Sequence, residues 1–138
     1  MTDELPNQDI FAENLIDSVN VTWDDRRVPH IFANNEYDLF FVQGYLHAFD
    51  RLWQMEFQVM AAGGRLSEII GPKALEYDKF QRRIGMMRGA KSVLEYYQQD
   101  SLMLSSLEAY TNGVNAYINS LTIDQYPIAV SYTHLRAH

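Results

Sequence analysis

The residues best suited to chemistry are a histidine and an aspartate at helical spacing, His47 and Asp50. On a helix this spacing places both side chains on one face, where they could support acid–base catalysis if a nucleophile faced them. A His–Asp pair more often belongs to a satisfied hydrogen-bond network, so the structural interpretation is favoured. No nucleophile motif accompanies the pair, because the sequence has no Gly-x-Ser-x-Gly elbow, glycine-rich phosphate loop, His-Glu-x-x-His or calcium-loop spacing.

Three further residues could contribute to a site. Arg65 follows Gly63 and Gly64, where a loose backbone lets its guanidinium bind carbonyls or a carboxylate and anchor the fold, or bind an anion. We favour the anchoring role. Trp53 and Met55 could line an apolar substrate pocket, although such side chains on a central helix more often pack in the core.

A long helix must position these residues, and the pattern predicts it over residues 36–62. Asn34 or Asn35 can cap its N-terminus. Its apolar residues are too numerous for one narrow stripe, which predicts a central helix buried on more than one side. Polar residues at steps of three and four form a line that is either solvent-facing or an internal hydrogen-bonded seam. These are Gln43, His47, Asp50, Gln54 and Gln58.

The remaining pattern predicts a β-hairpin and further helices, and hence an α+β, mostly helical fold. Alternating residues predict strands over 19–23 and 28–33, joined by a turn at 24–27. A short helix over 66–70 stops at Gly71-Pro72, and helical spacing weakened by Gly85 and Gly89 continues between 78 and 99. A last helix, capped by Asp100 or Ser101, ends near Leu121.

Composition restricts the class of protein. With 138 residues, 47% of them hydrophobic and 21% charged, the chain suits a single globular domain, and no apolar run is long enough for a membrane span. The absence of cysteine excludes disulfides, thiolate metal sites and a cysteine nucleophile. Four histidines make a zinc site unexpected, and no metal-ligand set emerges from the spacing.

Charge is distributed unevenly, with a net value of −7. Residues 1–25 carry seven acids and no lysine or arginine, and we predict a mobile acidic lead over 1–18 without the features of a signal peptide. The rest of the chain is balanced, so we expect no nucleic-acid partner. The basic cluster is predicted to be a solvated helix face: Arg82, Arg83, Arg88 and Lys91.

Four blocks of sequence, in a fixed order along the chain, indicate a relationship to a known family that residue spacing alone does not reveal. The blocks are VPHIFA at 28–33, DLFFVQGYLHAFDRLWQME at 38–56, GRLSEIIG at 64–71 and YTNGVNAYI at 110–118. Together they resemble the start of the α subunit of the penicillin acylase family, over about residues 19–127. The sequence departs from the usual family residues at Arg27, where glycine is common, at Phe49, where glutamine is common, and at Gln58-Val59, where paired arginines are common.

The resemblance implies an N-terminal nucleophile hydrolase with a four-layer αββα fold. In this family one precursor cuts itself at a Gly-Ser junction into α and β chains, and the new N-terminal serine of the β chain is the nucleophile. The sequence contains no Gly-Ser dipeptide. The junction, the oxyanion hole and the calcium positions are therefore expected beyond residue 138, and no catalytic, substrate-binding or metal residue is carried over to this chain.

These observations predict a fragment of an amide hydrolase, with residues 19–127 as the N-terminal part of its α subunit and 128–138 as a non-native tail. The complete enzyme is expected to remove an acyl group from a linear or cyclic amide, with a β subunit from the same precursor as partner. By resemblance it is periplasmic or secreted and able to use calcium. The alternatives are a non-catalytic helical module that binds a partner and, more weakly, hydrolysis by His47 and Asp50 themselves.

Overall fold

A computed structural model describes residues 14–122 and residue 125. Its hairpin consists of β1 (Asn20–Trp23) and β2 (Pro29–Phe32), which pair antiparallel with Asn20 opposite Phe32 and Trp23 opposite Pro29. The proline stands at the first position of its strand, where a missing N–H is tolerated. The predicted hairpin is confirmed, with strands one or two residues shorter than the pattern suggested.

The hairpin turn depends on Asp24. Its carboxylate Oδ1 accepts hydrogen bonds from the backbone N–H groups of Arg26 and Val28, each at 2.9 Å. Arg27, at the end of the turn, has a φ of 61°, in the left-handed region that favours glycine. The position where the sequence departs from the family's glycine is therefore one where glycine would relieve strain.

The long helix α1 (Glu36–Ala62) begins and ends where the sequence predicts. The Asn35 side chain caps it by accepting a hydrogen bond from the Asp38 N–H at 2.8 Å. At Arg51 the backbone leaves helical geometry, with φ −142° and ψ 24°, so α1 is kinked in its middle. The periodicity gave no sign of this kink.

After Gly63 and Gly64 the chain forms α2 (Ser67–Ile70), a 3-10 turn (Pro72–Ala74), α3 (Leu75–Ile84) and α4 (Met86–Tyr97). Gly85 separates α3 from α4 with a φ of 76°. Its N–H donates to the Gln81 carbonyl, which ends α3. The helical pattern between residues 78 and 99 is thus two helices, because a glycine in the left-handed region interrupts it.

The core is formed where α1 packs on α5 (Ser101–Ser120), which Asp100 caps as predicted. Buried glycines, Gly44 on α1 and Gly113 on α5, let the two backbones approach closely. A Cβ at Gly44 would overlap the Tyr110 carbonyl oxygen, and one at Gly113 would overlap that of Phe41. Ala48 and Leu52 extend this core, and Met60, Leu66 and Ala74 form a second cluster beside it.

Burial of α1 is incomplete among the described residues. The helix buries a broad side that includes Phe41, Ala48 and Leu52. Its apolar residues Leu39 and Trp53 remain 36% and 42% exposed. The predicted burial on several sides is therefore only partly present in this part of the chain.

The ends of the chain lie largely outside the described residues, including 1–13 of the predicted acidic lead and all of the predicted tail, 128–138. Within the described part of the lead, the backbone N–H groups of Ile16 and Asp17 donate to the Asp38 carboxylate. Residues 16 and 17 are thus tied to the start of α1. No helix in the described part of the chain is long and apolar enough to cross a membrane.

Candidate functional site

His47 pairs with a tyrosine on another helix. Its Nδ1 lies 3.0 Å from the Tyr110 hydroxyl, and the two rings meet edge to face at 5.7 Å between centroids. Burial raises the pKa of Tyr110. Tyr110 therefore keeps its proton at neutral pH. The hydrogen bond between His47 and Tyr110 joins α1 to α5. Residue spacing within α1 does not predict this contact between two helices.

The polar line on α1 faces solvent. Four of its five residues are exposed and Gln43 is half-buried, which confirms the solvent-facing alternative among the described residues. Asp50 and Gln54 border a shallow hollow of about 260 Å³ at the kink. The hollow is lined by Phe49, Asp50, Arg51, Leu52, Trp53, Gln54, Tyr117 and Gln125.

The hollow combines aromatic walls with one carboxylate and one guanidinium. The rings of Phe49 and Tyr117 meet edge to face at 5.7 Å. Burial, with smaller effects of Tyr45 and Asp50, raises the pKa of Tyr117. Because no serine, threonine or histidine lines the hollow, it offers apolar contact and ion pairing but no aliphatic hydroxyl nucleophile and no imidazole base.

Three hydroxyl groups of α5 donate to the backbone. Ser106, Thr111 and Ser120 each donate to a carbonyl one turn earlier in α5. None is bonded to His47, whose partner is the Tyr110 phenol. Hydrolysis by His47 and Asp50 therefore gains no support from this part of the chain, since the required nucleophile does not face them.

Arg65 binds a carboxylate, but at the surface. Its Nε and Nη2 donate to the two oxygens of Glu68 at 3.0 and 2.9 Å. Hydrogen bonding to Glu68, opposed by partial burial, raises the pKa of Arg65. Arg65 therefore binds a carboxylate, as one of the expected partners, but its guanidinium lies at the surface and does not turn inward as the sequence suggested. Arg82 is the residue that donates to the Gly64 carbonyl, at 2.9 Å.

Two buried aspartates hold the backbone in place. Asp38 is fully buried and accepts from the N–H groups of Ile16 and Asp17 at 2.8 and 2.9 Å. Asp78 is 3% exposed and accepts from the N–H groups of Leu66 and Ser67 at 2.9 and 2.7 Å. Residue spacing identified neither aspartate as an acceptor for the backbone, because the partners of both lie far away in sequence.

The pKa of Asp78 is determined by opposing effects. Burial raises it, but hydrogen bonds from Ser67 and Leu66 and the nearby charge of Arg82 outweigh burial. The pKa consequently lies below its usual value, and the carboxylate is ionised at neutral pH. Asp78 thus stabilises the start of α2 as a charged acceptor.

The remaining candidates divide between pocket and surface. Trp53 is exposed at the hollow, with its ring 5.6 Å from that of Phe57, whereas Met55 is half-buried and does not line the hollow. All four residues of the basic cluster are exposed, as predicted for a solvated face. Within residues 14–122 and 125, no group of three or more histidines or acids could hold a metal ion.

Comparison with known proteins identifies the family. A sequence model described as Penicillin amidase matches residues 18–138. The chain belongs to the penicillin amidase family. It is 35% identical over 77% of its length to the acyl-homoserine lactone acylase QuiP of Pseudomonas aeruginosa, and 38% identical over 74% to the penicillin acylase 2 proenzyme of Pseudomonas sp. strain SE83.

The penicillin amidase assignment extends to structure. A thermostable penicillin G acylase from Alcaligenes faecalis matches 81% of this chain with a TM-score of 0.67 and 28% identity, and 60% of that chain is covered. The family resemblance seen in the four sequence blocks is therefore confirmed. This chain spans only 12% and 13% of the length of the two curated relatives.

Proposed function

We propose that this chain is the N-terminal part of the α subunit of an amide hydrolase that removes an acyl group from an amide. The observation that carries the proposal is the match to a solved penicillin G acylase over 81% of the chain, at 28% identity and a TM-score of 0.67. Both curated relatives named above are acylases. A shared fold and sequence over the same span support a shared reaction class more strongly than a shared fold alone would.

In the proposed mechanism, the nucleophile is a serine that lies outside this chain, at the N-terminus of the β chain. Its own α-amine, with a reference pKa of about 7.7–8.0, takes the hydroxyl proton as the oxygen attacks the acyl carbon. Backbone donors stabilise the tetrahedral oxyanion, the amine leaves with a proton, and water releases the acid. This division of labour agrees with the engagement of the Ser106, Thr111 and Ser120 hydroxyls in hydrogen bonds to the backbone of α5.

The role proposed for this chain is to act as scaffold, with a β subunit from the same precursor as its partner. Large apolar side chains such as Phe32, Trp53 and Leu102 are exposed on β2, α1 and α5. In the complete enzyme we expect further polypeptide to cover many of them, completing a four-layer αββα fold. The hairpin would then extend into the sheets while the helices pack over them.

The proposed substrate class is a small acyl amide, linear or cyclic. The names of the relatives include both a penicillin acylase and acyl-homoserine lactone acylases, which share the cleavage of an acyl amide. We also propose that the complete enzyme is exported to the periplasm or secreted. We propose further that the complete enzyme is able to use calcium; the described residues contain no group of three or more acids or histidines that could hold the ion.

The test begins with the source DNA, read as one stretch from the codon of Asp100 past that of His138. We expect an in-frame continuation with a Gly-Ser junction. The complete product should mature into two chains and hydrolyse an acyl p-nitroanilide, a penicillin or an acyl-homoserine lactone. Replacing the junction serine with alanine should abolish cleavage and activity together; an uncut but active product would contradict the mechanism.

The alternative is a non-catalytic helical module that binds a partner through its exposed apolar side chains. The tail predicted at 128–138 is relevant here, because a genuine stop codon after His138 would leave no nucleophile to follow. In that case the 138-residue chain should be monodisperse and melt cooperatively. The DNA read therefore separates the two functions before any assay is made.

A further inference from the structure

Helices α3 and α4 each carry apolar side chains that remain exposed in the described part of the chain. None of the residues of α4 is buried, and Met86, Met87, Val93 and Leu94 are 47–51% exposed. Their spacing places these four side chains on one face of the helix. Phe80 and Ile84 of α3 are exposed to a similar extent. A face of this kind on a helix of 12 residues is unusual for a solvent-facing element.

The same two helices carry a concentration of positive charge. From Lys79 to Lys91 the sequence contains five basic residues and no acid, although the whole chain has a net charge of −7. Lys79 is paired with Glu76, and Arg82 donates to the Gly64 carbonyl. The other three, Arg83, Arg88 and Lys91, are exposed and form no ion pair within the described part of the chain.

We propose that α3 and α4 form a lipid-binding surface that recognises anionic headgroups. Cations on an amphipathic helix attract an anionic membrane surface, and exposed apolar side chains then enter the headgroup boundary. Long arginine and lysine side chains can reach the phosphates while their stems cover apolar surface. An acidic protein would use the cations but would not require six exposed apolar side chains. This inference is independent of the proposed catalytic function.

The test is co-sedimentation of the 138-residue chain with vesicles at low salt. One vesicle preparation is phosphatidylcholine alone, and the other contains equal parts of phosphatidylcholine and phosphatidylglycerol. We expect binding to the anionic vesicles that weakens as salt is added, because screening shortens the range of the headgroup field. Binding to the neutral vesicles should be much weaker.

Matched variants separate the two contributions. The double change Arg88→Gln and Lys91→Gln should weaken binding to anionic vesicles by roughly 30-fold, at about fivefold per cation. The control, Arg26→Gln with Lys73→Gln, changes the net charge equally at exposed sites elsewhere and should bind as the wild type does. Met87→Gln with Leu94→Gln should also weaken binding, whereas Val59→Gln with Ile70→Gln should not. Circular dichroism checks that each variant is folded.

Several outcomes would overturn the proposal. Equal binding to neutral and anionic vesicles would show a general apolar surface, as would equal losses in the test and control pairs. Binding to soluble polyglutamate with none to anionic vesicles would identify an acidic polypeptide as the partner instead. Persistence of vesicle binding after both charge and apolar changes would place the lipid contact outside α3 and α4.

Discussion

Arg27 shows how one side chain can strain an otherwise favourable turn. Asp24 satisfies two backbone N–H groups in the turn, yet Arg27 must adopt a φ of 61° to return the chain to β2. In this region a Cβ crowds the following carbonyl oxygen, and glycine avoids that contact. The hydrogen bonds of Asp24 therefore stabilise the hairpin turn, whereas the left-handed backbone at Arg27 destabilises it locally.

We expect Arg27→Gly to stabilise the 138-residue chain by about 1 kcal/mol, since it removes this crowding. Thermal or urea unfolding of the two proteins measures the difference. The neighbouring Arg26→Gly is the control and should give no gain, because Arg26 does not have a positive φ. A loss of stability in Arg27→Gly would mean that the contacts of the arginine side chain outweigh the strain.

Asp78 makes the free energy of unfolding depend on pH in the acidic range. Its folded pKa is depressed, so its contribution is fully present above the unfolded value near 3.9 and is lost as pH falls through the folded pKa. The wild type should be more stable than Asp78→Asn at neutral pH, and the difference should shrink below about pH 4. Urea midpoints at a series of pH values measure it. A difference that stays constant down to strongly acidic pH would refute the argument.

Asp38 is equally buried and joins segments at a greater distance in sequence. Alanine at this position would leave the N–H groups of Ile16 and Asp17 without their acceptor. Residues 14–18 would then become exposed, and water would replace the Asp38 carboxylate as the acceptor of these two hydrogen bonds. Both aspartates show that single carboxylates fasten connecting segments of this fold, in the second segment together with apolar contacts of Leu66 and Ala74.

At the scale of elements, the contact of α1 with α5 depends on two glycines. Gly44→Ala or Gly113→Ala should destabilise the chain by about 3 kcal/mol or more, because a methyl group would overlap a backbone carbonyl that cannot move aside without separating the helices. Gly89→Ala is the matched control. It lies inside α4 with open space around it and should stabilise by up to about 1 kcal/mol.

Chemical denaturation of the three variants tests whether alanine destabilises the chain at Gly44 and Gly113 and stabilises it at Gly89. Equal effects at all three positions would contradict the conclusion that Gly44 and Gly113 allow the close approach of α1 and α5. A second measurement is hydrogen exchange in α1 and α5, which should accelerate in Gly44→Ala and Gly113→Ala but not in Gly89→Ala. The control thereby separates helix propensity from packing.

Local signals allowed much of the fold to be predicted. Asn35 and Asp100 cap helices that begin where expected, and the period of two predicted the hairpin, because caps and alternation act between near neighbours. The kink at Arg51 was not predicted, since nothing in the helical spacing marks it. The His47–Tyr110 bond was missed because it depends on how two helices pack. The family blocks indicated membership but not these contacts.

At the scale of the whole molecule, the exposed apolar surface is the dominant property. Apart from the side chains of α3 and α4 that we propose to bind lipid, large side chains more than a third exposed occur on β2, α1 and α5. Monomeric proteins rarely expose extended apolar patches unless another molecule covers them. Surface of this kind is what a scaffold subunit would present when separated from the remainder of its enzyme.

We therefore expect the isolated 138-residue chain to bind a hydrophobic dye and to self-associate as its concentration rises. Dye fluorescence and sedimentation velocity measure both properties. Assembly with the rest of the proposed enzyme should weaken the dye signal, because the apolar side chains of β2, α1 and α5 become covered. A monodisperse chain without a dye signal would favour the partner-binding module over the fragment.

The crossing of α1 and α5 also constrains how this sequence can diverge. A clash between two side chains can be relieved when one shrinks as the other grows, but at Gly44 and Gly113 each glycine faces backbone. Neither position therefore has a compensating partner whose mutation would make room. Descendants of this sequence should keep both glycines while the surrounding helix surfaces drift, and a randomised library selected only for folding should recover glycine at both positions.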